Sequence, residues 1–149
     1  MTQYIHKRHN VNMMLYHIVC PTKFRKVVVD SKVDQILKET CIQIQNRYDI
    51  HFVEIGTDKD HVHFLVQSVP FMLPSRLVQI IKSITAREIF HQIPSLKTDM
   101  WGSSFWSSGY YISTVGKHGN EKVISNYVKE QGKQNEYQQL LRNQLSLFD

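Results

Sequence analysis

HFVEIGTDKDHVHFLVQ, residues 51–67, sets two short apolar runs on either side of the polar turn TDKD. Runs rich in β-branched and aromatic residues, separated by a turn signal, are the pattern of a β-hairpin, so HFVEIGT and HVHFLVQ are expected to be neighbouring strands. In HVHFLV the side chains alternate: Val62, Phe64 and Val66 fall on one face, His61, His63 and Leu65 on the other. The apolar trio needs a cover, and two amphipathic segments can supply it. The first places Val33, Ile36, Leu37, Cys41, Ile44 and Tyr48 three and four residues apart, behind Asp30 and Ser31 as candidate N-caps. The second, SRLVQIIKSITAREIF at 75–90, carries Leu77, Ile80, Ile81 and Ile84 at helical spacing and ends near Pro94.

Outward from there, NMMLYHIVCPT at 12–22 reads as a first strand that stops at Pro21, and the aromatic, β-branched stretch SSFWSSGYYISTV at 103–115 reads as a fourth. Gly119 and Asn120 then precede a helical run, EKVISNYVKEQ, and a glutamine-rich tail. The order strand, helix, strand, strand, helix, strand is the split βαβ plan. It predicts an α+β protein, ferredoxin-like and RRM-like, with an antiparallel sheet, both helices on one face and a further C-terminal helix bearing Tyr127. One domain is expected over 1–149, with a core at 10–115, the tyrosine helix at about 119–132 and a tail at 133–149.

Composition narrows the class without naming an activity. A hydrophobic fraction of 42% and a charged fraction of 21% over 149 residues exclude a disordered chain and allow a core without staples. The N-terminal run has no apolar leader, and no stretch approaches the roughly 18 apolar residues of a membrane span, so a cytoplasmic protein is expected. Cys20 and Cys41 lack partners at finger-like spacing and read as small buried hydrophobes. A net charge of +5 favours a polyanionic partner. Basic clusters at residues 6–9, at Lys23, Arg25 and Lys26, and at Lys82 and Arg87 could follow a strand of phosphates or simply be solvated; charge alone does not decide.

Two spacings carry chemistry. His61 and His63 are two strand residues apart, roughly 7 Å between Cα atoms, close enough for both rings to converge on one ion, and neutral imidazole binds divalent metals at pH 7. Eight histidines also produce such triplets by chance, as polar residues on a solvent face; the position directly after a hairpin turn favours ligation. Tyr127 and Gln131, four apart, share a helix face, offering an oxygen nucleophile and an uncharged oxygen ligand that suits Mg²⁺ or Mn²⁺. Tyr127 also fits an apolar stripe with Val123, Ile124 and Val128, and Tyr110 and Tyr111 are rival nucleophiles.

LYHIVCPTKFRK at 15–26, DKDHVHFLV at 58–66, and the region from YYISTVG at 110–116 to NYVKEQ at 126–131 together resemble the HUH nuclease superfamily, and closely its single-tyrosine transposases of bacterial insertion sequences. The resemblance implies that Tyr127 attacks a DNA phosphate, leaving a 5′-phosphotyrosine and a free 3′-hydroxyl, while His61, His63 and Gln131 hold the metal. It implies a single-stranded DNA substrate with hairpins at the element's ends, and a homodimer in which one subunit's tyrosine helix completes the other's site. It makes Lys23, Arg25, Lys82 and Arg87 candidate DNA contacts. Retained bond energy is consistent with the absence of a GxxxxGK[ST] phosphate loop. Phe24 stands where the family often has tyrosine. Two other readings share these residues: a nickase or domesticated repeat-associated relative, and a non-catalytic RRM-like module, which would place aromatics where His61 and His63 stand.

Overall fold

The computed structural model describes residues 5–7, 10–12 and 14–115. Tyr127, Gln131 and the expected tyrosine helix and tail lie outside the described residues. Strands β1 (Ile5–Lys7) and β2 (Asn10–Asn12) form a small antiparallel ribbon. Then follow β3 (Met14–Pro21), a 3-10 turn (Lys23–Arg25), α1 (Ser31–Arg47), β4 (His51–Thr57), β5 (His61–Ser68), α2 (Pro74–Gln92), α3 (Pro94–Asp99) and β6 (Tyr111–Val115). The four-stranded sheet runs β4-β5-β3-β6 with every neighbour antiparallel, which is the expected split βαβ topology. Among the described residues no helix is long and apolar enough to cross a membrane.

Local chemistry accounts for the elements that position the site. Asp30 caps α1, its Oδ1 accepting from the Val33 amide at 2.9 Å. The β4–β5 turn closes where the Asp58 amide donates to the His61 carbonyl at 2.9 Å. In β5 the alternation holds as expected: Val62, Phe64 and Val66 are fully buried, in one cluster with Ile36, Leu37, Cys41 and Ile44 of α1 and Leu77, Ile81 and Ile89 of α2. Cys20 and Cys41 lie in the same cluster as free thiols, and burial pushes Cys20 up to about 12.

One expectation is corrected and two features are added to those expected. Only Tyr111–Val115 of the stretch 103–115 is strand; Phe105 and Trp106 instead plug the core, the Trp106 indole donating to Thr85 Oγ1 at 3.0 Å on α2. The β1–β2 ribbon and α3 were not foreseen. On the second face of the sheet Leu15, Glu54, Leu65 and Gln67 are all buried. A register shift between Phe52 and Glu54 inserts one extra residue in β4 and turns His51 and Glu54 alike to that face.

Burial there has a measurable consequence at His51, which is 9% exposed and held down to about 4 by desolvation. In the unfolded chain its imidazole titrates near 6.5, so the unfolded state binds more protons throughout the window between. Stability is full above pH 6.5 and falls as the pH drops toward 4, by on the order of 2–3 kcal/mol from this group. Urea midpoints between pH 7.5 and 4.5 should show that decline, and His51→Gln should make it shallower, leaving the share of the other buried imidazoles, His63 and His17; an unchanged slope would place the titrating group elsewhere.

Candidate active site

The imidazoles of β5 project from the second sheet face, both half-buried, with ring centroids 4.9 Å apart and planes at 68°. Each has its Nδ1 engaged. Asp60 Oδ1 lies 2.8 Å from His61 Nδ1, and His17 Nε2 lies 3.2 Å from His63 Nδ1. The His17 and His63 rings are within 13° of parallel with centroids 5.4 Å apart, so a hydrogen bond between their edges, rather than face overlap, joins them. Tyr111 of β6 meets His17 edge-on at 5.9 Å and is exposed. The result is a line of chemistry across three strands: Tyr111 on β6, His17 on β3, His63 and His61 on β5.

Electrostatics prepares these groups for ligation. Burial pushes His63 down to about 4, the neighbouring His61 and His17 adding to it, so the ring is neutral at pH 7 and its lone pair is available. Burial likewise lowers His17. The His61 hydrogen bond, with Arg25 beside it, holds the Asp60 carboxyl below its usual range. A carboxylate on one ring nitrogen fixes the tautomer and aims the other outward, the usual arrangement behind a metal-bound histidine. The donor set therefore fits a divalent ion. Among the described residues no group of three His, Cys, Asp or Glu side chains is placed to hold one, so two imidazoles need further donors.

The 3-10 turn brings Arg25 to this site. Thr22 is fully buried and acts as its hub, its amide donating to the Asp60 carbonyl at 2.9 Å and its hydroxyl to the Lys26 carbonyl at 2.7 Å. The Lys23 amide donates to the Phe105 carbonyl and the Ser107 amide to the Pro21 carbonyl. Pinned on both sides, the turn forces Phe24 and Arg25 into left-handed backbone, φ 59° and 52°, a strain of about 1–3 kcal/mol each for non-glycine residues. Arg25 Nε then reaches Asp60 Oδ2 at 3.1 Å.

The other candidate DNA contacts lie apart from the imidazoles. Lys23 and Lys82 line an open groove of about 430 Å³ between α2 and residues 104–110, where Lys82 Nζ donates to the Ser107 carbonyl at 2.6 Å and lies 5.4 Å over the Tyr110 ring. Arg87 is exposed on α2, outside that lining. His17 and Asp60 were missed in the sequence. Alternation in LYHIVCP does place His17 on one face with Leu15 and Val19, but its meeting with His63 depends on the β3–β5 register.

A ferredoxin-like sheet with an imidazole cluster on one face defines the class, and the family follows from the match over its length. The chain belongs to the IS200-like transposases: residues 10–131 match that family. It is 28% identical over 124 residues to the ISDra2 transposase TnpA of Deinococcus radiodurans, 83% of this chain and 88% of that protein. It is 30% identical over 120 residues to the transposase for insertion sequence element IS200 of Salmonella typhimurium, 78% of this chain and 75% of the relative. A crystal structure of a candidate transposase from Deinococcus radiodurans superposes with a TM-score of 0.68 at 28% identity, covering 85% of this chain and 97% of that one. The REP-associated tyrosine transposase bound to a REP hairpin shares the fold, with a TM-score of 0.54 at 13% identity over 85% of this chain and 73% of that one. A transposase cuts DNA and transfers strands, and that is the activity class that membership gives this chain.

Proposed function

We propose that this chain cleaves and rejoins single-stranded DNA at the ends of an insertion sequence through a covalent bond at Tyr127, with His61, His63 and Gln131 holding Mg²⁺ or Mn²⁺. The observation that carries the reading is the imidazole pair on β5, each ring with its Nδ1 engaged and the Asp58 carboxylate 3.9 Å from His61 Nε2. When bound, the divalent ion polarises the scissile phosphate and offsets developing charge. The Tyr127 oxygen attacks phosphorus and the bond to the 3′ oxygen breaks; the phenol proton leaves to solvent and the departing oxygen takes one up, giving a 5′-phosphotyrosine and a 3′-hydroxyl. Attack by a 3′-hydroxyl on that bond reverses the step with no other energy source. A phenol of pKa about 10 is a weak nucleophile at pH 7, which is why a positioned, charge-stabilised phosphate is needed.

Hairpin DNA is the proposed substrate, in keeping with a shared fold on which a REP hairpin has been seen. A homodimer with the tyrosine helix donated in trans is the proposed assembly, and a single domain with its core at 10–115 the proposed organisation. Lys23, Arg25, Lys82 and Arg87 are its proposed DNA contacts, Arg25 through a side chain that also steadies Asp60.

The test is covalent capture. Wild-type protein mixed with single-stranded hairpin DNA and Mn²⁺ should give an adduct on a denaturing gel, mapped by mass spectrometry to Tyr127. Tyr127→Phe should give none, a loss greater than about 10³-fold, while Tyr111→Phe keeps it. Tyr111 is the control because it is the described tyrosine nearest the imidazoles, in ring contact with His17. An adduct mapped to Tyr111 would overturn the nucleophile assignment, and no wild-type adduct would return the chain to the binding-module reading.

A further inference from the structure

We infer that Phe24 and Trp101 form a stacking platform for unpaired bases of the DNA strand that enters the candidate active site, an inference that rests on the transposase reading. The two rings come from segments 77 residues apart in sequence and meet in the open: centroids lie 5.2 Å apart at 52°, with Phe24 57% and Trp101 71% exposed. Val27, three residues on from Phe24, is exposed as well. Lys26 Nζ lies 4.4 Å over the Trp101 ring and Lys23 Nζ 5.3 Å over the Phe24 ring, and Lys26 is further tied to the Asp99 carbonyl. Exposed aromatic faces edged by ammonium groups match a nucleotide chain, whose bases stack and whose phosphates are anionic.

The backbone argues that these rings are not there for the fold. The end of α3 is closed by the Trp101 amide bonding to the Thr98 carbonyl and the Gly102 amide to the Lys97 carbonyl, a pattern whose left-handed residue is normally glycine. Trp101 occupies that position at φ 57°, with its ring largely in solvent. Phe24, at φ 59°, is strained in the same way. A bulky residue kept in a glycine position with little burial in return points to a use outside the core.

Position supplies the last step. Phe24 is the neighbour of Arg25, which binds Asp60, which binds His61. A strand whose phosphate lies at the imidazoles can thus place its next unpaired bases over Phe24 and Trp101. The platform is of the same kind as the aromatic surfaces that hold single strands without reading sequence, so its contribution should depend on bases being present, not on which bases they are.

Tryptophan fluorescence reports on it, because Trp101 is 71% exposed while Trp106, the other tryptophan, is 3% exposed; Trp106 also lines the groove beside Lys23 and Lys82, so quenching that persists in Trp101→Gly is assigned to Trp106. Wild-type protein titrated with a hairpin carrying an oligo-dT flank should show quenching, and the same hairpin with an abasic flank of equal length and charge should show little. Affinity for the dT flank should exceed that for the abasic flank by about 5- to 100-fold, the range for one stacked base. Phe24→Ala should reduce that ratio. Trp101→Gly should collapse it toward one while the melting temperature holds or rises, since glycine relieves the left-handed residue. Equal quenching by the two flanks, or a ratio unchanged in both variants, overturns the platform; should a variant fail to fold, the wild-type comparison decides alone. Covalent capture on the dT-flanked hairpin distinguishes the two failures: an adduct without base-dependent quenching overturns the platform only, and no adduct with no binding overturns the strand-cleavage reading beneath it.

Discussion

His63→Ala is expected to reduce metal-dependent adduct formation by about 10³-fold while leaving the fold intact. Loss of a ligand removes charge stabilisation worth several kcal/mol at the phosphate, and each 1.36 kcal/mol is a factor of ten in rate. The ring stands on the second face of β5, whereas the core contacts of that strand are made by Val62, Phe64 and Val66, so its removal opens no cavity between sheet and helices. His61→Ala should behave alike. His17→Ala and Asp60→Ala, which take away only the partners of the two Nδ1 atoms, should weaken Mn²⁺ binding about 10- to 100-fold without abolishing it. Mn²⁺ titration followed by electron paramagnetic resonance measures the affinities apart from turnover. Adduct formation that survives both His61→Ala and His63→Ala at wild-type rates would remove the metal assignment altogether.

The graded series matters because it separates two ways in which a histidine cluster can arise. A structural cluster would lose stability in proportion to the contacts removed, whichever residue was cut. A ligand cluster loses function first at the two outward-facing rings, then at their supports, and stability hardly at all. Arg25→Ala extends the same logic by one bond: Asp60 stays in place through the Thr22 and Asp60 backbone link, and loses the cation that helps hold its charge.

What could be read from the sequence divides by how far apart the interacting residues are. The alternation of HVHFLV, the Asp30 cap and the hairpin turn each depend on neighbours within a few positions, and all three appear as expected. Phe105 and Trp106 misled because aromatic residues serve strands and core plugs equally well. Their true partners, Thr85, Thr22 and Lys23, are distant in the chain, and nothing local announces them. His17 shows the same limit: its face could be assigned, but a one-residue slip of β3 against β5 would have sent it to the helices. Trp101 is harder still, since Gly102 beside it is the residue that helix-ending rules would place in the left-handed position. For Tyr127 and Gln131 the sequence offers a shared helix face and a resemblance, and both residues lie outside the described ones.

Phe64→Ala should lower unfolding stability by about 3–5 kcal/mol, a large part of the 5–15 kcal/mol typical of a domain. Phe64 is fully buried on a strand with neighbours on both sides, paired with Ile18 of β3 and Ile55 of β4, and its ring meets Phe52 at 5.9 Å and 58°. Those flanking side chains are themselves held in register by the sheet and close only partly over the gap, so most of the cavity cost remains. Activity should fall with it, for His61 and His63 ride on the same strand and are placed within hydrogen-bond tolerance of His17 and Asp60. Urea denaturation of Phe64→Ala and His63→Ala side by side measures the contrast: the first loses stability and activity together, the second activity alone. A loss below about 1 kcal/mol for Phe64→Ala would mean that β5 is not the strand on which the core and the imidazole pair both depend.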